Sequence, residues 1–423
     1  MSYLLYFLLV FLTTYTDTPL TAYLGAFGFS ALPLLSFIMY PCLLMFSKKK
    51  VIYPPFSRFL YKLVNYTLAI SFFVMLVFLV LGLPMNLYGD NAVNKTIKLY
   101  MTFLSYVLFL ICMVNLMFGL NTKQLLRPFF LIFIALTIFG LLENSQIPYA
   151  FPWLHATGDG EYWRVRLLCQ EASHTSPILS VFFLLSLYYS IFEARKKSYV
   201  VITLSCLVVH AIISSSKLFM VIILVSSLIG AWTYIRKISG TKKFLGIVIS
   251  FFLLLYLKDT IFVKVAESFQ GDIDNSTSTA TRMTTNFSGY VLGCMFPVGA
   301  GFFSYLYLLP KALSGIVQYL PNYFNVSELM AIINAKDDSG LAAQSFFSQS
   351  SIYWGAVGSV LLLKKIKDLF ANFTNKHTKE KVVVIKVLYW AIMIHLFIST
   401  GLDFVFLTVF SFLIADSYKT IKF

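Results

Sequence analysis

The chain has 423 residues, of which 59% are hydrophobic and 12% charged, with a mean hydropathy of +0.80; an average soluble domain carries about 25% charged residues. No water-soluble fold buries that much apolar surface, which excludes soluble enzymes, disulfide scaffolds, coiled coils and nucleic-acid modules. The formal charge of +15 therefore has to be read by the side of a membrane on which the cations lie.

In chain order, about twelve apolar runs follow one another, at 4–15, 24–46, 63–83, 99–120, 129–142, 177–192, 200–213, 218–235, 244–257, 345–363, 382–399 and 402–415. A hydrocarbon layer of ~30 Å calls for helical runs of about this size, whereas a membrane barrel shows ~10-residue alternating strands. The fold class predicted is an all-α polytopic membrane protein, one integral domain over 1–423. The first run lacks a basic leading segment and a small-residue cleavage pattern, so it reads as a retained helix. With the amino terminus in the cytoplasm, most of the 33 Lys and Arg fall in inner loops. Among them are Lys48, Lys49, Lys50, Lys123, Arg127, Arg195, Lys364, Lys365, Lys376 and Lys381, and this bias predicts both termini inside. No internal repeat is evident, which speaks against many transporter folds.

Two outer segments are long, 144–176 and 258–344. Long connections are functional or disordered, and the abundance of Trp, Tyr and Phe here argues for order on the membrane surface. Within the second, 287–309 is apolar enough to span but is broken by Gly289, Gly293, Pro297, Gly299 and Gly301. A single crossing there would flip every later segment and move the basic 364–381 loop outside, so an interfacial or re-entrant element is predicted. Of the five cysteines, Cys42, Cys112 and Cys206 read as small core residues. Cys169 and Cys294 fall in the two outer segments and pair only if the compartment is oxidising. No Cys/His cluster has metal spacing.

The densest polar sequence outside the apolar runs is 155–174, which carries Glu161, Arg164, Arg166, Glu171 and His174 just before a span. Arginine offers phosphate oxygens a fixed fork of donors, and Glu or His accepts a proton from a hydroxyl. The plainer alternative is a solvated loop whose arginines anchor to lipid headgroups. Ser214-Ser-Ser-Lys217 is a polar turn at the outer face, where Lys217 either binds anions or snorkels to the interface. The hydroxyl-rich stretch 275–282 ends at Arg282 and leads into Pro297-Val-Gly-Ala-Gly301. Lys336-Asp337-Asp338-Ser339-Gly340 reads either as a helix cap or as a source of a basic carboxylate. His210, His395 and Asp403 are intramembrane or nearly so, and too scattered to form a proton relay.

These pieces together resemble the O-antigen polymerase and ligase superfamily of bacterial envelope glycosyltransferases. Arg166-Leu-Leu-Cys-Gln-Glu171-Ala-Ser173 is similar to that family's arginine, four intervening residues and Glu-Pro-Ser before a span. Ser216-Lys217 stands where a Ser-Arg pair opens a later helix, and Arg282 with Pro297-Val-Gly-Ala-Gly301 resembles the outer-loop arginine and Pro-x-Gly-x-Gly. Ala172 replaces the proline and Lys217 the arginine, and the His-Asn pair of ligases is absent, with Asp338-Ser339 near that place.

The resemblance implies a bundle of about twelve helices like that of the C-type glycosyltransferases, in a bacterial inner membrane, with its active site facing the periplasm. The implied reaction is metal-independent and inverting, needs no cofactor, and joins undecaprenyl-diphosphate-linked oligosaccharide repeat units, one as donor and one as acceptor. Arg164, Arg166 and Arg282 would hold the diphosphate, with Lys217 beside them. Glu171, His174 or Asp338 would act as base, and Trp153, Tyr162 and Trp163 would stack on sugar faces unless they only anchor at the interface. Membrane lipids, a chain-length regulator and a flippase of the same pathway are the expected partners, with no nucleic acid. Two rival functions stay open at this point, ligation of finished polymer to lipid A core and transport of lipid-linked oligosaccharide.

Overall fold

A computed structural model describes residues 2–24, 28–47, 50–156, 161–213, 217–235, 277–319, 326–334, 342–398 and 402–419. The expected run 244–257, the turn 214–216, and Asp337 and Asp338 lie outside the described residues.

The described residues are helical almost throughout. Among them six helices are long and apolar enough to cross a bilayer: Pro55–Val80 (α3), Ala92–Met117 (α4), Thr122–Gln146 (α5), Ala172–Ala194 (with α6 at Thr175–Tyr188), Phe346–Thr374 (α12) and Glu380–Ile398 (in α13, Lys379–Ile398). Shorter helices complete the bundle: α1 (Ser2–Leu12), α2 (Leu32–Phe46), α7 (Lys197–Ile213), α8 (Lys217–Ile235), α9 (Thr277–Met295), α10 (Tyr305–Val317), α11 (Ser327–Ile333) and α14 (Phe404–Lys419). Local chemistry sets the starts. Pro55 opens α3, where a missing N–H costs nothing. Asn91 accepts the Val93 N–H at the head of α4, and Asn121 and Gln124 close a reciprocal capping box on α5.

Two sequence boundaries move. The run 24–46 is broken: Thr21–Leu24 is a separate helical turn and α2 starts only at Leu32, with Pro33 in its first turn. The last helix begins at Phe404, which leaves Leu402 and Asp403 in the link that precedes it.

One core cluster runs through the bundle, from Tyr6, Phe109 and Phe133 to Phe182, Leu388 and Phe410, all buried. Phe129 meets Phe182, and Phe56 meets Phe410 edge-on, with centroids 5.1 and 5.6 Å apart, spacings that favour aromatic pairs.

α9 and α10 form a hairpin inserted alongside α12. α9 runs parallel to α12: the Ser348 hydroxyl donates to the Asn286 carbonyl (2.7 Å) and that of Ser351 to the Gly289 carbonyl (2.9 Å). The Pro297–Gly301 tip reaches Ser71, deep within α3, whose hydroxyl accepts the Phe302 N–H at 2.8 Å. α10 then climbs back past Phe78, which packs on Phe303 and Tyr307. The tip is keyed to a break in α12 at Gly355, where φ is +74°. That break frees the Ile352 and Tyr353 carbonyls to accept the Ala300 and Gly301 N–H groups at 2.9 and 3.1 Å, while the Val357 N–H donates to the Pro297 carbonyl. A side chain at Gly355 would overlap Pro297, and one at Gly301 would lie 2.7 Å from Ser71 Cα. Glycine is required at both places by positive φ and by space.

Candidate functional site

The site is built at one end of the bundle, where α1 and α5 end and α6, α12 and α14 begin. Glu143, in the last turn of α5 and 1% exposed, accepts the backbone N–H groups of Arg166 (2.9 Å) and Leu167 (2.8 Å). Leu167 takes a left-handed conformation, φ +53°, which turns two successive N–H groups toward one anion. Sequence reading missed Glu143; the only signal was a lone carboxylate at the end of the run 129–142.

That nest fixes Arg166. The residue is 4% exposed, and its guanidinium lies over the Tyr162 ring, 4.7 Å from the centroid. Among the described residues the guanidinium makes no ion pair. Glu143 is within electrostatic range, but each of its oxygens already accepts a backbone N–H. A nearly buried arginine without a carboxylate partner is uncommon, because desolvating a charge is costly unless something balances it.

Tyr162 links this arginine to the next element. Its hydroxyl accepts the Ala172 N–H at 2.8 Å, and Arg164, Arg166 and Glu171 all lie within electrostatic range of it. Burial pushes the Tyr162 phenol up from its ordinary value. Ala172–His174 is a single helical turn leading into α6, with the Ser173 hydroxyl donating to Glu171 at 3.1 Å. Arg282, on α9, lies within electrostatic range of His174 and, among the described residues, makes no ion pair. α8, which begins at Lys217, packs against the same turn.

Beside the turn opens a cavity of about 500 Å³. His174 and Gln170 line it, with Gln344, Gln349 and Ser345 from the start of α12, Tyr106 from α4, and Asp403 from the link before α14. Gln349 is held by the Ala343 N–H (2.7 Å) and donates to the Tyr353 hydroxyl (2.7 Å). Asp403 is half-buried, and among the described residues only its backbone carbonyl is engaged, by the N–H groups of Phe406 and Leu407. Burial pushes its carboxyl up to about 7. Nearby, Asp17 and His155 form a buried pair, Oδ2 to Nδ1 2.9 Å, tying the end of α1 to the 147–171 loop. The Asp17 Oδ1 and His155 Nε2 atoms are buried without a partner. Nothing in the sequence joined residues 138 positions apart.

The predicted residues divide. Arg166, Tyr162, Glu171, His174 and Arg282 gather around the 171–174 turn, with Arg164 exposed at its edge. Trp153 and Trp163 stand out from the surface, 72% and 69% exposed, and neither lines the cavity. Lys217 is placed only as the first residue of α8. Cys169 and Cys294 are free, the first buried and the second exposed, and burial pushes the Cys169 thiol up to about 12. The Ala300, Gly301 and Phe302 N–H groups are spent on α12 and Ser71, so the tip is a clasp between helices.

No metal-holding group of three or more His, Cys, Asp or Glu occurs among the described residues. No protein-family profile, curated protein or solved structure matches this chain.

Proposed function

We propose that the chain is a membrane glycosyltransferase that extends a glycan on a polyprenyl diphosphate carrier, by transfer of lipid-linked repeat units at the periplasmic face of a bacterial inner membrane. One observation supports the reading: Arg166 and Arg282, which make no ion pair among the described residues, come from distant segments to one turn whose His174 lines a cavity bearing hydroxyl and amide groups, although neither arginine lines that cavity itself.

The chemistry fits such an arrangement. As an acceptor hydroxyl attacks the donor's anomeric carbon, the C1–O–phosphate bond breaks and its electron pair leaves with the diphosphate. Guanidinium groups held in place before the reaction stabilise that growing charge, at about 1.5–3 kcal/mol for each charge-assisted contact. The Glu143 nest supplies the prior positioning for Arg166. His174, Gln170 and Gln344, which line the cavity, would hold sugar hydroxyls there. Attack from the side opposite the diphosphate inverts the anomeric centre.

The test uses the lipid-linked repeat unit that accumulates in cells lacking this chain. Purified protein should convert it into a ladder of longer lipid-linked products, with chelator present or absent and with inverted linkages. Retained linkages would break the mechanism. The cell phenotype separates the rivals: single repeats on the outer leaflet support a polymerase, repeats trapped on the inner leaflet a flippase, and finished polymer left unattached a ligase.

A further inference from the structure

We propose that Asp403 is the proton acceptor for the acceptor hydroxyl, a role that rests on the glycosyltransferase reading above. Three groups compete for it on chemical grounds. Glu171 is exposed and already accepts the Ser173 hydroxyl. His174 lines the cavity but is exposed, and of the charges in its range Arg282 opposes the cation it would become while Glu171 and Asp17 favour it. Asp403 lines the same cavity, and among the described residues its carboxylate has neither a hydrogen-bond donor nor a cationic partner. It also stands on an element separate from the two arginines, so one carboxylate serves the acceptor while the cations serve the departing diphosphate.

In the step inferred, an Asp403 carboxylate oxygen takes the hydroxyl proton as the acceptor oxygen bonds to the anomeric carbon. The C1–O bond to phosphate breaks, and its electrons leave with the diphosphate. Asp403 ends protonated and returns its proton to water. Burial holds its carboxyl near neutrality, the range in which a general base works best. The groups within electrostatic range of it are Tyr106 of α4 and Cys169 of the 147–171 loop; His174 of the turn lines the same cavity, and Asp17 lies in range of Cys169 and His174. α14 itself brings no charge until Asp416 at its far end.

The experiment measures elongation of the same isolated lipid-linked repeat unit by wild-type protein and by Asp403→Asn and Asp403→Glu across pH 5–9, beside thermal melting of each. In parallel, wild-type protein is labelled with an apolar carbodiimide, which adds to protonated buried carboxyls, and the site is read by mass spectrometry. Expected are a wild-type rate that falls about tenfold per pH unit below about 7, a loss of about 10²–10⁴ in Asp403→Asn and partial recovery in Asp403→Glu. Asp403 should label below pH 7 and be protected by saturating repeat unit. If Asp403→Asn does not fold, labelling decides: no adduct at any pH, or an adduct that substrate does not block, overturns the assignment. An Asp403→Asn variant that elongates at the wild-type rate overturns it alone and leaves the glycosyltransferase reading standing. Wild-type protein that elongates nothing, with Asp403 still labelled, overturns both.

Discussion

The two ends of the bundle use part of their charge differently. At the end away from the cavity, Lys381 pairs with Glu193 at 3.0 Å, His377 with Asp416 at 2.8 Å, and the Lys376 ammonium donates to the Ser417 carbonyl. These contacts join the end of α6, the link between α12 and α13, and the end of α14. At the cavity end, Arg166, Arg282 and Asp403 make no ion pair among the described residues, although Arg166 is buried and Asp403 half-buried. The far end uses its paired charges to hold helices together. The cavity end does so in part, through Asp17–His155 and Lys95–Asp90, and leaves these three residues outside any such pair.

The sharpest way to break this contrast is to delete both free cations. Arg166→Ala with Arg282→Ala should lower elongation by about 10²–10⁴, two charge-assisted contacts of about 1.5–3 kcal/mol each, with membrane abundance unchanged; a normal chain-length ladder on a gel would refute the assignment. Next in size is a purely structural change. Gly355→Ala puts a methyl against Pro297 at a positive φ, and should cost about 2–4 kcal/mol, visible as a lowered melting temperature in detergent.

Glu143→Gln keeps one acceptor oxygen for two backbone N–H groups and should cost about 1–3 kcal/mol. If Glu143 only stabilises the loop, the loss appears in melting alone. If it positions Arg166, kcat falls more than KM changes. The smallest effect belongs to the opposite end: Lys381→Ala removes a partly exposed pair worth under about 1 kcal/mol and should leave elongation at the wild-type level. A large drop there would erase the distinction between the two ends.

Much of the architecture was legible because a bilayer demands long apolar runs, and α3, α4, α5, α12 and α13 follow them closely. The runs located helices poorly where a helix extends into polar sequence: α3 includes Arg58 and Lys62, and α12 runs on through Lys364, Lys365 and Lys367. Such lysines and arginines reach the interface with their stems along apolar surface, so composition ends a run before the backbone does. The non-α-helical stretch 28–31 before α2 was not legible, since apolar residues flank it on both sides.

For the site, clustering in one segment drew attention to Arg166, Glu171 and His174, all within nine residues. Glu143, the Asp17–His155 pair and Asp403 were missed as participants because each acts only through a partner or a cavity supplied by a remote part of the chain. Within the Pro-x-Gly-x-Gly motif the Gly301 N–H goes to Tyr353 of α12 and that of Gly299 to Phe296, pairings that depend on the remote break at Gly355 and on the fold of the tip.

The clasp between the 297–301 tip and the break at Gly355 also constrains biogenesis. Most of the clasp's hydrogen-bonding partners, residues 348–357, are translated after it, so while α9 and α10 leave the ribosome only α3, through Ser71 and Phe78, is in place to hold them. The inserted pair is therefore a late-settling part of the molecule, and a chain truncated before Ser345 should leave residues 277–317 open to protease while α3 to α6 stay protected.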